Sequence, residues 1–210
     1  MTIDEMFAEL DLYGFDDFEN TQKLLLLNEA YLDIVTREPW PFLERLINVN
    51  QQALQDEVVI PDDDLGAVLS IVDMTFRLPL TPERADVIEK NYLVNSDTNQ
   101  PTKYYFIGNK IYLWPIPRQN STLRVLYVRE PTSLTEDTLE ADILIPKRHH
   151  SIIVYGALVK AYLVNDDPQS AVFQNMYETR YQQMRNDLWM KQYDRPDRIH
   201  VITESYDWNY

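Results

Sequence analysis

Residues 101–117 read Pro-Thr-Lys-Tyr-Tyr-Phe-Ile-Gly-Asn-Lys-Ile-Tyr-Leu-Trp-Pro-Ile-Pro, and this stretch decides how the chain folds. Two runs rich in aromatic and aliphatic side chains, Lys103–Ile107 and Lys110–Trp114, flank the dipeptide Gly108-Asn109. A two-residue connection of glycine and asparagine tolerates the positive φ angles that a tight hairpin requires. The stretch therefore predicts an antiparallel β-hairpin.

Short strands are predicted on both sides of this hairpin, in the region from residue 46 to residue 145. There the hydrophobic period is close to two, and clusters of proline, aspartate and asparagine separate the apolar runs. Thr81-Pro82-Glu83 predicts the start of a short helix that ends near Tyr92, because proline is favoured at the first helical position. A two-layer antiparallel β-sandwich is the simplest arrangement of the candidate strands, which are 46–54, 57–60, 67–74, 76–80 and 122–129.

Helical periodicity precedes the strands. Thr2 and Glu5 have the spacing of a capping box, which predicts a helix over residues 3–12. A longer helix is predicted over residues 21–38, where apolar side chains recur at helical spacing. Pro39 stops it, because proline disfavours the helical conformation in the residue before it.

Helical periodicity returns after Pro146. The first predicted helix there ends near Asn165, and its apolar stripe is Ile152, Gly156, Val159 and Leu163. Asp167-Pro168 starts a second helix at once. Its stripe, suited to packing against other helices, is Phe173, Tyr177, Tyr181, Met184 and Leu188.

These elements predict an α+β fold, in which an antiparallel helical bundle carries an inserted antiparallel β-sandwich-like domain and an extended C-terminal tail. The predicted parts are the N-terminal bundle helices (1–45), the β-rich insertion (46–145), the C-terminal bundle helices (146–192) and the tail (193–210).

Composition excludes several classes of function. The 210 residues contain no cysteine, so disulfides and thiolate metal sites are excluded. The net charge of −15 opposes sequence-specific DNA binding, which depends on Lys and Arg neutralising phosphates. The first ten residues lack the pattern of a secretory signal, and no apolar run approaches the ~20 residues that span a bilayer. We expect a protein that is soluble and cytoplasmic when it is made and has no contact with a membrane.

The candidates for catalysis are few, since the chain has three histidines and four scattered glycines. The adjacent His149 and His150 point about 100° apart on a helix, so they do not form the same-face pair of a zinc site. The sequence therefore predicts no enzyme activity, no metal site and no cofactor. Lys147 and Arg148 place positive charge where the helix dipole prefers negative charge, which suggests an outside carboxylate. Residues 147–150 are accordingly a possible subunit interface.

The aromatic side chains of the hairpin have two interpretations. Strand alternation places Tyr112 and Trp114 on one face and Ile111 and Leu113 on the other. The first pair either packs against the rest of the domain or forms a face that stacks on carbohydrate.

The order of these residues resembles the head-to-tail connector adaptors of tailed bacteriophages, also called head-completion or tail tubular A-like proteins. The resemblance lies in the residues from Arg37 through Pro39-Trp40-Pro41 to Phe42, in the hairpin from Tyr104 to Pro117, and in the strand before Pro131. It continues with Ile145-Pro146, which leads through His149 into a helix over 151–165. It covers most of the chain.

The resemblance implies a structural protein of the virion neck. Such adaptors form a ring, typically of twelve subunits, beneath the portal protein, extend the DNA channel and offer a platform for the next neck or tail protein. The acidic excess would then repel the passing DNA. The tail would dock on the portal or on a neighbouring subunit, through residues that include a run suited to strand addition: Arg198, Ile199, His200, Val201, Ile202, Thr203, Tyr206, Trp208 and Tyr210.

Two other classes of protein remain open at this point. A monomeric β-sandwich module would bind carbohydrate or another protein through the tyrosine and tryptophan face. A small hydrolase would depend on one of the three histidines, His149, His150 or His200.

Overall fold

The computed structural model describes residues 1–61, 64–94, 98–165 and 167–193. The fold is α+β, with a mostly antiparallel, nearly closed sheet. The helices are α1 (Ile3–Leu10), α2 (Asn20–Arg37), α3 (Ala85–Val94), α4 (Ser151–Val164) and α5 (Gln169–Tyr193). The strands are β1 (Glu44–Gln51), β2 (Glu57–Val59), β3 (Leu65–Asp73), β4 (Leu78–Pro82), β5 (Thr98–Asn99), β6 (Lys103–Ile107), β7 (Lys110–Trp114), β8 (Ile116–Pro117) and β9 (Ser121–Arg129).

The N-terminal helices begin and end close to where the sequence predicts. The Thr2 hydroxyl accepts from the Glu5 N–H at 3.2 Å, and the Thr2 N–H donates to the Glu5 carboxylate at 3.0 Å, which confirms the capping box. A π-helical turn follows α1, and it contains Gly14 at φ 89°. Glycine is suited to this position, because a side chain strains the left-handed conformation.

Helix α4 lies at the centre of the helical part and contacts α1, α2 and α5. The predicted stripe is correct for Ile152, Gly156 and Val159, but Leu163 is 61 % exposed. Ile153, Val154, Ala157 and Leu158 are also buried, so α4 is covered on nearly all sides instead of along one stripe. On α5 the predicted stripe of Phe173, Tyr177, Tyr181, Met184 and Leu188 is buried throughout and is confirmed. We call this buried cluster the helical core.

The larger sheet has seven strands in the order β1-β9-β3-β4-β6-β7-β2. Its neighbours pair antiparallel except β4 and β6, which are parallel. A second buried cluster, which we call the strand core, fills the curve of this sheet. Its most deeply buried members are Ile60, Ile71, Ile111, Leu113, Leu123, Val125 and Tyr127.

The predicted two-layer sandwich is not what the strands form. The predicted strands belong to one continuous sheet, whose two end strands β1 and β2 approach each other without pairing, while β5 and β8 pair in parallel as a separate two-stranded sheet. Strand β4 makes the continuity possible, because it pairs with β3 over Leu78–Leu80 and then with β6 through Thr81 and Pro82. Local periodicity carries no information about such a change of partner along one strand.

The same region corrects the predicted start of the short helix. Thr81 and Pro82 are strand residues, and α3 begins at Ala85. The N–H groups of Thr81 and Glu83 donate to the carbonyls of Thr102 and Tyr104, at 2.9 and 2.8 Å. Pro82, which has no N–H, lies between these two donors, so the proline removes no hydrogen bond from the pairing of β4 with β6.

The hairpin is observed as predicted, with β6 and β7 paired antiparallel around Gly108, whose φ is 61°. Ile111 and Leu113 are fully buried in the strand core. After β9 the chain passes through residues 130–146 before α4. Three side chains of this connection, Leu134, Ile143 and Ile145, lie in the helical core.

Candidate interaction surfaces

The basic residues before α4 have carboxylate partners within the same chain. The Lys147 ammonium lies 2.7 Å from a Glu140 oxygen. Arg148 and His149 each lie 3.4 Å from Asp187 on α5. The outside carboxylate suggested by the helix dipole is therefore not required, because the fold supplies Glu140 and Asp187. Glu140 precedes the helix and Asp187 lies on α5, so helical periodicity gives no signal for these pairs.

Glu140 lies between two cations. It accepts hydrogen bonds from Lys147 and from the amino group of Met1, and these lower its pKa to about 2. The bond to Lys147 also raises the pKa of that ammonium group. Through Lys147 and the Met1 amino group, Glu140 connects the residues just before α4 with the start of α1. These two contacts fix the connection 130–146 against the helical core.

His150 is buried, in contrast to the predicted surface position. Its side chain is 1 % exposed, and its Nε2 lies 2.8 Å from the Ile145 carbonyl, so this nitrogen carries the proton and donates. Nδ1 then accepts from the Met1 amino group, which lies 3.0 Å away. Burial, followed by the nearby amino group, lowers the pKa of His150. Burial and the neighbouring amino group favour the neutral ring, so His150 has a structural role and provides no exposed base.

The buried histidine predicts a loss of stability in mild acid. Because the folded pKa of His150 lies below its usual value of 6.5, the unfolded chain binds more protons as the pH falls through and below 6.5. The free energy of unfolding should therefore fall with pH, by at most about 1.4 kcal/mol per pH unit for this one proton. Urea unfolding at a series of pH values from 7.5 to about 5 measures the slope.

The control for that experiment is His150→Gln, which removes the titrating group at the same position. His149 is present in both proteins, so its contribution cancels in the comparison. We expect a shallower slope in the variant, whatever its stability at neutral pH. Equal slopes would show that His150 does not govern the pH dependence.

Two segments that pack on the same core are rich in carboxylates and contain no basic residue. Residues 1–22 contain seven Asp or Glu and no Lys or Arg, and residues 130–146 contain five and none. Asp4, Glu5, Asp16, Asp17, Glu19, Glu130, Glu136, Asp137 and Asp142 are exposed. Both segments contribute apolar side chains to the helical core, and Glu140 joins them through Met1. We call the exposed surface of these two segments the acidic face.

The aromatic face of the hairpin is packed against the protein. Tyr105 and Tyr112 stack with ring centroids 4.8 Å apart, and Tyr105 is 5 % exposed. The Tyr105 hydroxyl donates to Glu89 on α3, and burial, with Glu89, raises its pKa. Tyr105 covers one face of the Tyr112 ring, and Tyr112 and Trp114 are half-buried, so of the two interpretations the structure favours packing.

The residues predicted to bind a partner divide into two groups. The segment from Arg198 to Thr203, together with Tyr206, Trp208 and Tyr210, lies outside the described residues. Lys147, Arg148 and His149 lie at the surface beside α5, with the partners given above, while His150 is buried. In the described part of the chain, no group of three or more His, Asp or Glu is arranged to hold a metal ion. A membrane-spanning helix is likewise not found there, since no described helix is both long and apolar enough.

Sequence reasoning missed two features of the surface. One is the outer edge of β1, which follows from the strand order of the sheet. The other is a groove of about 370 Å³ where α2, α4 and α5 meet, with Ala30, Gly156 and Tyr177 in its wall. The glycine at 156 was a visible signal for close helix packing, although its partners on α2 and α5 were not.

Comparison with known proteins gives one family. A family model described as SU10 adaptor protein matches residues 1–200 of the 210, so the match includes both the helical part and the sheet. No curated protein matches the chain.

Proposed function

Since the chain belongs to the SU10 adaptor protein family, a family of phage head-to-tail adaptors, we propose that it forms a ring beneath the portal protein. The ring extends the DNA channel and gives the next neck or tail protein its docking platform. The family match over residues 1–200 carries this proposal, because it covers nearly all of the chain. Membership of this family also makes the protein a structural component of the virion neck. We propose that it assembles in the host cytoplasm.

We propose that the acidic face lines the DNA channel. Its exposed carboxylates repel DNA phosphates, so the genome passes without being held. The repulsion acts over about 10 Å at 0.1 M salt, which is short enough to matter only for a wall close to the DNA. Three basic residues that follow these segments in the chain, Lys23, Lys147 and Arg148, are each paired with a carboxylate.

The tail is proposed to attach the subunit in the neck. Residues 194–210 follow the end of α5 and contain three large aromatic side chains, Tyr206, Trp208 and Tyr210. Large aromatic side chains are the residues that most often dominate the binding energy of an interface. We propose that they anchor the subunit to the portal or to a neighbouring subunit, with the run 198–203 adding as a strand.

Deletion of residues 194–210 tests the attachment. The shortened chain should keep its fold, because it retains every described residue of the helical core and the strand core. It should no longer form a complex with the purified portal, whereas the full chain should form one of discrete mass consistent with a single ring. Mass photometry measures the complex, and circular dichroism with thermal unfolding checks the fold. Unimpaired complex formation by the shortened chain would contradict the role of the tail.

A further inference from the structure

Three loops form the end of the large sheet that lies away from the helices. Strand β1 starts beside the helical part and β9 ends there, so the end of β1 and the start of β9 mark the opposite side. Main-chain hydrogen bonds hold the loops together, from Leu54 to the Pro117 carbonyl and from Met74 to the Thr122 carbonyl, both at 2.8 Å. We call these loops the distal end, which consists of residues 52–56, 74–77 and 117–120.

Leu54 has an unusual conformation at the distal end. It is the third residue of a turn in which the Gln55 N–H donates to the Gln52 carbonyl at 3.4 Å, and its φ is 62°. Glycine is the usual residue at this position, because a larger side chain strains the left-handed conformation. The leucine side chain is also 70 % exposed. Neither the strain nor the exposed apolar surface stabilises the single chain, so both indicate a contact outside it.

Two arginines give the distal end its charge. Arg77 is also left-handed, with φ 57°, and Arg118 lines a small cavity of about 210 Å³ together with Phe76. Both arginines are exposed, and neither has an ion-pair partner in the described part of the chain. Asp56, the one acidic residue of these three loops, is half-buried and already has a partner. The distal end therefore presents an apolar side chain with unpaired positive charge.

The complementary combination occurs in the connection 130–146. Leu139 is 67 % exposed and lies in a turn, since its carbonyl accepts from the Asp142 N–H at 2.9 Å. Carboxylates on both sides of it are exposed and have no ion-pair partner among the described residues: Glu136, Asp137 and Asp142. We call residues 136–142 the acidic turn. It presents an apolar side chain with unpaired negative charge.

These two surfaces lie at opposite ends of the same chain. Strand β9 separates them, and its nine residues extend over about 30 Å. Leu134 and Ile143, on either side of the acidic turn, are buried in the helical core and hold the turn beside the helices. The distal end can therefore meet an acidic turn only in another copy of the chain.

We propose that the distal end of one copy docks on the acidic turn of the neighbouring copy, with Leu54 against Leu139 and the two arginines against the carboxylates. This inference rests on the proposed ring. The two surfaces differ, so their contact is head-to-tail and repeats from subunit to subunit until the ring closes. Opposite charges fix which surfaces meet. The contact uses residues 136–142 and leaves the carboxylates of residues 1–22 to face the channel.

Charge reversal in the full chain tests this contact, with the purified portal present. One chain carries Arg77→Glu and Arg118→Glu, and a second carries Glu136→Arg and Asp137→Arg. Each places like charges against each other, so each should need at least about tenfold more protein to form the complex of discrete mass. A chain with all four changes restores the attraction and should assemble like the natural chain. Mass photometry measures the complexes.

Two further variants separate this contact from general effects. Asp16→Arg with Asp17→Arg makes the same change of charge at exposed positions outside the acidic turn and should assemble like the natural chain. Leu54→Asn keeps the turn, because asparagine tolerates the left-handed conformation, and removes the apolar contact. It should weaken assembly without lowering the melting temperature. Circular dichroism with thermal unfolding checks that every variant is folded.

The other outcomes overturn the inference. Normal assembly by either reversed chain would exclude the contact. Loss of assembly in both reversed chains without restoration by all four changes would show that the arginines and the acidic turn face other partners. An equal loss in the Asp16 and Asp17 variant would assign the effect to net charge. If the natural chain itself forms no complex with the portal, the proposed function fails, and the inference fails with it.

Discussion

Replacement of Trp40 by alanine is expected to lower the free energy of unfolding by about 3–5 kcal/mol, the usual cost of removing a large buried aromatic side chain. Trp40 is 1 % exposed and lies between the end of α2 and the start of β1. Its ring stacks on Phe42 at 5.7 Å and meets the edge of Tyr181 on α5 at 5.6 Å. The indole N–H donates to the Ile34 carbonyl at 2.7 Å. The side chain thus joins α2, α5 and the path into the sheet.

Urea unfolding of the full chain and of the Trp40→Ala variant measures the effect. Trp40→Phe is the matched control, because it keeps an aromatic ring and removes the N–H donor. It should cost about 1–2 kcal/mol, as expected for one buried hydrogen bond and a small change in volume. A loss below about 1 kcal/mol for the alanine variant would show that Trp40 is not a central packing element.

The second large effect is expected at Gly156, where α4 crosses α2 and α5. A Cβ atom at this position would lie 2.9 Å from the Cβ of Ala30 and 3.2 Å from a ring carbon of Tyr177. Ala30 has no side-chain freedom with which to move away, so the helices would have to separate. We expect Gly156→Val to lower the free energy of unfolding by about 3 kcal/mol, the upper part of the range for overpacked cores.

Two variants separate steric strain from helix propensity. Ala171→Val places the same β-branched side chain on an exposed position of α5 and should cost less than about 0.5 kcal/mol. Gly156→Ala combined with Ala30→Gly removes the shortest contact, so the pair should be more stable than the sum of the single changes predicts. Additive effects in this cycle would show that the two positions do not meet.

The features that sequence predicts best are local ones. The hairpin at Gly108-Asn109, the capping box of Thr2 and Glu5 and the buried stripe of α5 each depend on residues within a few positions of one another. Turn geometry, capping and periodicity are properties of such short stretches. The resemblance to phage connector adaptors was also visible from the order of these local elements, and the family match confirms it.

Features that depend on distant residues could not be predicted in this way. The closing of seven strands into one sheet depends on β4, which changes its partner from β3 to β6. The burial of His150 depends on Ile145 and on the first residue of the chain, and the partner of Arg148 lies 39 positions later on α5. Sequence periodicity does not reveal these pairs, because the residues meet only after the chain has folded.

We propose that this protein is a fixed ring component of the phage neck. Quantitative mass spectrometry of purified particles tests it most directly, by comparing peptides of this chain with peptides of the major capsid protein. The proposed function predicts a low copy number that is the same in every preparation and matches one ring per particle. Absence of the chain from particles, or a copy number that scales with the capsid protein, would contradict it.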